Sequence, residues 1–253
     1  MPKDKERKNR RAKRMQQRAD GAKDLAIAKA ETAGLGEPDL GPRGPLDLPS
    51  RGLPTDAGGK PKARAQRNFT DPDSHIMKGP DGYIQGYNAQ AAVDSAHQII
   101  VAIGVSNQAP DVEHLNPMLE RIKANTGALP KTFSADTGFC SEANIEDCEQ
   151  RGLDAYIPNA RQKHGARTRP SRGPVPKDQG ARERMDRKLR SKGGKEIYSQ
   201  RKAIVEPVFG QTKEARGLRR FLLRGLEKVN GEWSLWCTGH NLLKLFRATT
   251  AAA

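Results

Sequence analysis

Three acidic residues stand where an acid is awkward. Asp94 closes the apolar run Ala91-Ala-Val-Asp94, Asp136 closes Phe133-Ser-Ala-Asp136, and Glu206 lies inside Ile204-Val-Glu-Pro-Val-Phe209. A carboxylate at the end of a buried strand is costly unless it is paired or binds a metal. Three converging carboxylates can hold two divalent cations about 4 Å apart, an arrangement that activates a water or hydroxyl and steadies the leaving oxygen in phosphodiester cleavage. Hard oxygen donors select Mg²⁺ or Mn²⁺. Each acid also has a local reading, with Asp94 as a turn former, Asp136 as a cap and Glu206 as a salt-bridged helix residue. Spacing alone leaves both readings open. On a helix, Lys202 and Lys213 would lie close to the Glu206 face, at i−4 and i+7. Pro207 predicts either a kink near Ala203–Glu206 or a new helix with Pro207 at its first position.

The elements that must position these residues follow from turn chemistry and hydrophobic period. Asn68 to Met77 has turn chemistry around Asp71-Pro72, and Lys78-Gly-Pro-Asp-Gly82 is a strong turn signal. Tyr83 to Asp94 is β-compatible, and Ile99-Ile-Val-Ala-Ile-Gly-Val105 reads as a buried strand. Asp94-Ser-Ala-His97 is short enough to join the two as a hairpin. Asp111 can cap a helix carrying Val112, Leu115, Leu119 and Ile122, ended by Thr126-Gly127. Thr132–Ala135 is a strand. Ser141 opens a helix with Ile145 and Cys148 inward, ended by Arg151-Gly152, and Leu153–Ile157 is the next strand. Arg161–Gly180 is a basic insertion. Helical signals resume at Ala181 and run past Lys202, and a last helix spans Glu232–Arg247. This order predicts an α/β domain with a mixed sheet.

Composition narrows the partner. The chain has 253 residues, with 45 Lys+Arg against 30 Asp+Glu and a formal charge of +15. Such an excess points to a polyanion, and nucleic acid is the commonest. Only 35% of residues are hydrophobic, too few for one core through the whole chain. Residues 1–33 read as a basic, disordered arm. Residues 34–61, with seven Gly and six Pro, read as a linker. Division at 67 and 247 gives an arm and linker, a domain over 68–247 and a short tail. Residues 161–202 hold fifteen Lys/Arg against four acids, a pattern that neutralises phosphates. No apolar run is long enough for a membrane span. Cys140, Cys148 and Cys237 form neither an even disulfide set nor a close ligand pair, so a reducing cytoplasm is expected. The five histidines have no zinc spacing with them. Asn88 and Gln90 read as strand-face polar residues or outer partners of the metals, Cys140 as a packing residue, and Trp233 and Trp236 as packing anchors.

Four strings then converge on one family. Gly86-Tyr-Asn-Ala-Gln-Ala-Ala-Val-Asp94, Ala135-Asp-Thr-Gly-Phe-Cys-Ser141, Tyr198-Ser-Gln-Arg-Lys-Ala-Ile-Val-Glu-Pro-Val-Phe-Gly-Gln-Thr-Lys213 and Gly239-His-Asn-Leu-Leu-Lys244 resemble the catalytic core of bacterial insertion-sequence transposases of the DDE superfamily. The resemblance implies an RNase H-like fold, a mixed β-sheet flanked by helices, with Asp94, Asp136 and Glu206 as the catalytic, metal-binding triad for two Mg²⁺ or Mn²⁺ ions. It places Tyr198, Arg201, Glu206 and Lys213 in the family's tyrosine–arginine–glutamate–lysine signature, and assigns DNA phosphate contact to Tyr198, Arg201, Lys202 and Lys213. It implies cleavage at the element's ends, strand transfer into target DNA, a homodimer on paired ends and a nucleoid-associated, cytoplasmic setting. Four residues, not the commoner three, separate Arg201 from Glu206, so Arg201 and Lys202 compete for the role of its cation. Related transposases carry a folded DNA-binding region ahead of the core. Its place is taken here by the basic arm and linker, so a truncated or rearranged copy is expected. A non-catalytic DNA-binding relic and a nuclease without strand transfer are the rival readings.

Overall fold

The computed structural model describes residues 48–79, 82–160 and 179–251. The arm and the first part of the linker, residues 80–81 and most of the basic insertion lie outside the described residues. The strands are β1 (His75–Gly79), β2 (Gly82–Gly86), β3 (Asn88–Val93), β4 (Ile100–Ser106), β5 (Thr132–Ser134) and β6 (Asp154–Tyr156). The helices are α1 (Leu115–Thr126), α2 (Glu142–Gln150), α3 (Ala181–Arg190), α4 (Lys192–Gly210) and α5 (Leu226–Ala251).

β4 explains the architecture. It pairs antiparallel with β3 and is packed by α1 and α5. A strand covered on both faces must be apolar almost throughout, which is why Ile99–Val105 is nearly unbroken. One core holds Ala102 with Leu115, Leu119, Ile145, Ile157, Met185 and Leu189. The other holds Ile100 and Val105 with Val208, Val229, Trp233 and Cys237. Trp233 lies 6.1 Å from Phe209 in a stack and 6.3 Å from Phe221 edge-on, and its Nε1 donates to the Gln90 carbonyl at 2.9 Å. It is the packing anchor expected. Leu48, placed in the linker on composition, is buried against Gly104 in the first core.

The expected single mixed sheet is instead three two-stranded ladders, β1–β2, β3–β4 and β5–β6, of which only the last is parallel. The reason lies along β4. Asn125 of α1 donates to the Val101 carbonyl at 2.8 Å, and Arg121 donates to that of Ile103. Side chains from α1 thus satisfy carbonyls that a further strand would have used. Three element readings also change. His75–Met77, within a stretch read for the turn chemistry of Asp71-Pro72, belongs to β1, while the Lys78–Gly82 turn signal falls where β1 pairs back onto β2. Tyr83–Asp94 divides at Tyr87, whose hydroxyl donates to Asp71 at 2.6 Å. Asp111 caps no helix. A 3-10 turn, Val112–His114, precedes α1, and the Asp111 carboxylate is taken by Asn88 and Gln90. Ser141 and Gly127 act as predicted: the Ser141 hydroxyl accepts from the Asn144 N–H at 3.1 Å, and Gly127 ends α1 at φ 82°.

Candidate active site

Asp94 follows β3 at the mouth of the hairpin. Its N–H donates to the Ile99 carbonyl, and its own carbonyl accepts from the Gln98 N–H at 3.1 Å. Its carboxylate accepts the N–H of His97 at 2.7 Å and of Ala96 at 3.2 Å. Partial burial pushes the Asp94 carboxyl up, but the His97 and Ala96 amides outweigh it and hold it below the ordinary range. Asp136 follows β5 and accepts the Thr137 N–H at 2.7 Å, capping a 3-10 turn. Glu206 stands exposed on α4. The local roles open to Asp94 and Asp136 are therefore both filled. A carboxylate has about four lone-pair sites, so accepting one or two N–H groups leaves donors for a further ligand.

α4 brings the signature residues to Asp136. Tyr198 and Arg201 sit three residues apart on one face, with the guanidinium 5.8 Å from the ring centroid. Arg201 reaches Asp136 Oδ2 at 3.6 Å. Burial raises the Tyr198 phenol, Arg201 opposes it, and the Asp136 and Glu206 carboxylates push it higher, so Tyr198 lies in the field of both acids. Arg201 and Glu206 are five positions apart, about 140° around a helix. That offset turns the guanidinium toward Asp136 and away from Glu206, so the longer Arg–Glu spacing has a direct geometric consequence. Among the described residues Glu206 makes no ion pair. Lys202 is exposed, and Lys213 Nζ lies 5.8 Å from the Phe209 ring centroid.

Of the two forms of interruption expected at Pro207, a new helix does not begin there. α4 runs through it to Gly210, and the irregularity comes one turn later as a π-helical turn, Gln211–Ala215. The Ala203 carbonyl, which would have met the N–H of residue 207, accepts the side-chain amide of Gln98 at 2.7 Å. A side-chain donor thus takes the acceptor that the missing N–H of Pro207 leaves open. The Asp94 hairpin and the Glu206 helix are thereby joined one turn from Glu206. Asp94, Asp136 and Glu206 are thus connected through α4, but among the described residues no three His, Cys, Asp or Glu side chains gather tightly enough to hold a metal ion.

Two arrangements were not legible in the sequence. Asn88 and Gln90 donate to Asp111 Oδ1 at 2.6 and 2.7 Å, with buried His114 3.9 Å away. They serve Asp111 and not Asp94. The other Asp111 oxygen lies against Gly138, two residues after Asp136. Gln98 at φ 58° is the second. Its residue type carries no turn signal. Cys140 is half-buried, its thiol raised by burial and donating to Asn159 Oδ1 at 3.0 Å, the behaviour of a packing residue. No described helix is long and apolar enough to cross a membrane.

Residues 57–242 match the family model described as the transposase DDE domain. The match spans well over half of the chain, and the chain belongs to that family. Comparison with curated proteins returned no match, and comparison with solved structures returned none.

Proposed function

We propose that this member of the transposase DDE-domain family cuts DNA at the ends of an insertion sequence and joins the liberated 3′-hydroxyl to target DNA, with Asp94, Asp136 and Glu206 as its triad. The general function, a transposase acting on DNA with the divalent-metal dependence common in the family, follows from membership. The contact that carries the finer reading is Arg201 on Asp136, made by a helix whose Tyr198 lies in the field of both Asp136 and Glu206. An RNase H-like fold accompanies this reading, supported by a first acid after a hairpin strand, a second after a short parallel strand and a third on a long helix.

Three carboxylates with accessible oxygens fit a hard divalent ion in donor type, and Asp94, Asp136 and Glu206 would hold it. Mg²⁺ or Mn²⁺, when bound, supplies Lewis acidity to the phosphodiester oxygens. The remaining work falls to the chain itself. Arg201, fixed by Tyr198 and Asp136, offers a planar guanidinium to a phosphate. Lys202 and Lys213, exposed on either side of Glu206, neutralise neighbouring phosphates as point charges. The backbone N–H groups on Asp94 and Asp136 fix both carboxylates, which is positioning in advance of substrate.

The test is strand cleavage of element-end DNA with Mg²⁺. Wild type should yield nicked and then joined products. Asp136→Asn, which keeps shape and loses charge, should reduce both by 100-fold or more, on the order of removing a catalytic group. Equal, weak cutting by the two proteins would leave a DNA-binding relic. Nicked products without joined ones would leave a nuclease.

A further inference from the structure

Pro207 has no N–H, so the Ala203 carbonyl one turn earlier has no helical donor. The donor comes from outside the helix, where Gln98 Nε2 meets that carbonyl at 2.7 Å. Gln98 belongs to the turn that Asp94 opens and stands at φ 58°, in the left-handed region that residues other than glycine seldom adopt. Such a conformation persists only where the surroundings fix it. Here they do. His240 Nε2 donates to the Gln98 carbonyl at 2.9 Å, and Lys244 Nζ donates to Gln98 Oε1 at 2.6 Å. Asn241 exchanges two bonds of 2.8 Å with the backbone of Ile100, two residues on. His240 is fully buried. Of the polar residues of Gly239-His-Asn-Leu-Leu-Lys244, His240 and Lys244 therefore hold the turn itself and Asn241 the first residue of β4 that follows it.

We propose that Gln98 is a positioning residue that couples the first and third acids, docking the Asp94 turn onto the carbonyl that Pro207 leaves free three residues before Glu206. The inference rests on the reading of Asp94 and Glu206 as ligands of one metal site. It gives the Glu206-Pro207 pair a joint meaning, in which the glutamate supplies the ligand and the proline opens the attachment point that aligns it. α5 acts as the clamp. One side-chain amide uses both ends, its Nε2 on α4 and its Oε1 on Lys244.

Two substitutions remove the link in opposite ways. Gln98→Asn keeps an amide and tolerates the left-handed backbone, but is one methylene too short for the span. Pro207→Ala returns the helical N–H, so the Ala203 carbonyl no longer needs Gln98. Mn²⁺ binding to the full chain, followed by electron paramagnetic resonance of the free ion, is measured beside thermal unfolding. Each variant should weaken Mn²⁺ binding roughly fivefold, the worth of one net hydrogen bond. Pro207→Ala should do so without lowering the melting temperature, because alanine favours a helix. The double variant should bind no more weakly than either single one. If both variants bind Mn²⁺ as wild type does, while Asp136→Ala abolishes binding, the coupling is overturned and the ligand reading stands. If wild type binds no Mn²⁺, or binds it independently of Asp136, the ligand reading falls and the coupling with it.

Discussion

Partial burial pushes the Asp111 carboxyl up, yet His114 and the amides of Asn88 and Gln90 outweigh it and hold the group below its ordinary value of 3.8. A carboxyl depressed in the folded state stabilises the fold above the unfolded value and loses that contribution as pH falls through the folded one. Urea unfolding should therefore show a steeper loss of wild-type stability between about pH 5 and about pH 3 than Asp111→Asn shows over the same interval. The same carboxylate crowds Gly138. A Cβ there would lie 2.3 Å from Asp111 Oδ2. Gly138→Ala should destabilise the protein by about 1–3 kcal/mol, an overpacking effect. Adding Asp111→Ala should return part of the loss, a coupling that a double-mutant cycle reads directly. Asn88 and Gln90 were visible as polar residues on one strand face, because alternation alone puts them there. Their partner was not visible, because Asp111 is some twenty residues away and reads equally well as a helix cap.

Among the elements, α4 was legible only as part of one helical run from Ala181, which Ser191 divides into α3 and α4; its proline was legible as an irregularity, but what becomes of the lost bond depended on a donor from another part of the chain. Local rules remove a bond at Pro207; only Gln98 shows that the bond is replaced. α5 likewise begins at Leu226, six residues before the predicted start. Its first turn is fixed by distant groups, with Asp73 accepting the Leu226 N–H at 2.9 Å and Asp71 that of Gly225 at 3.0 Å. Trp233 tests whether α5 is held as described. It is buried, stacked on Phe209 of α4 and bonded to Gln90 of β3. Trp233→Ala should reduce stability by about 3–5 kcal/mol in urea titration. Trp233→Phe should recover most of the apolar part and leave the Gln90 carbonyl without this donor.

For the molecule as a whole, the formal charge of +15 sets the physics of DNA contact. Among described residues, Lys202, Lys213, Arg220 and Arg224 are exposed cations beside or beyond Glu206. Binding to duplex DNA should weaken linearly on a log–log plot against salt, and the slope should flatten by about one for each of these cations that meets a phosphate. Fluorescence anisotropy at several salt concentrations, on Arg220→Ala and Arg224→Ala, reads this. A slope that neither variant alters would place the DNA track on another face.

Local order along the chain settled which residue types could do metal-assisted chemistry, where most helices and strands lie, and that the net charge suits a polyanion. These depend on local period, turn chemistry and summed charge, all of which are properties of neighbours in the chain. The tertiary structure alone decided that the strands form three separate ladders, that Arg201 faces Asp136, and that Gln98 joins the Asp94 turn to the Glu206 helix. Each is settled by a hydrogen bond or ion contact between groups far apart in sequence. Whether such a bond forms depends on which donor the packed fold brings within reach of a free acceptor, and spacing along the chain does not encode that.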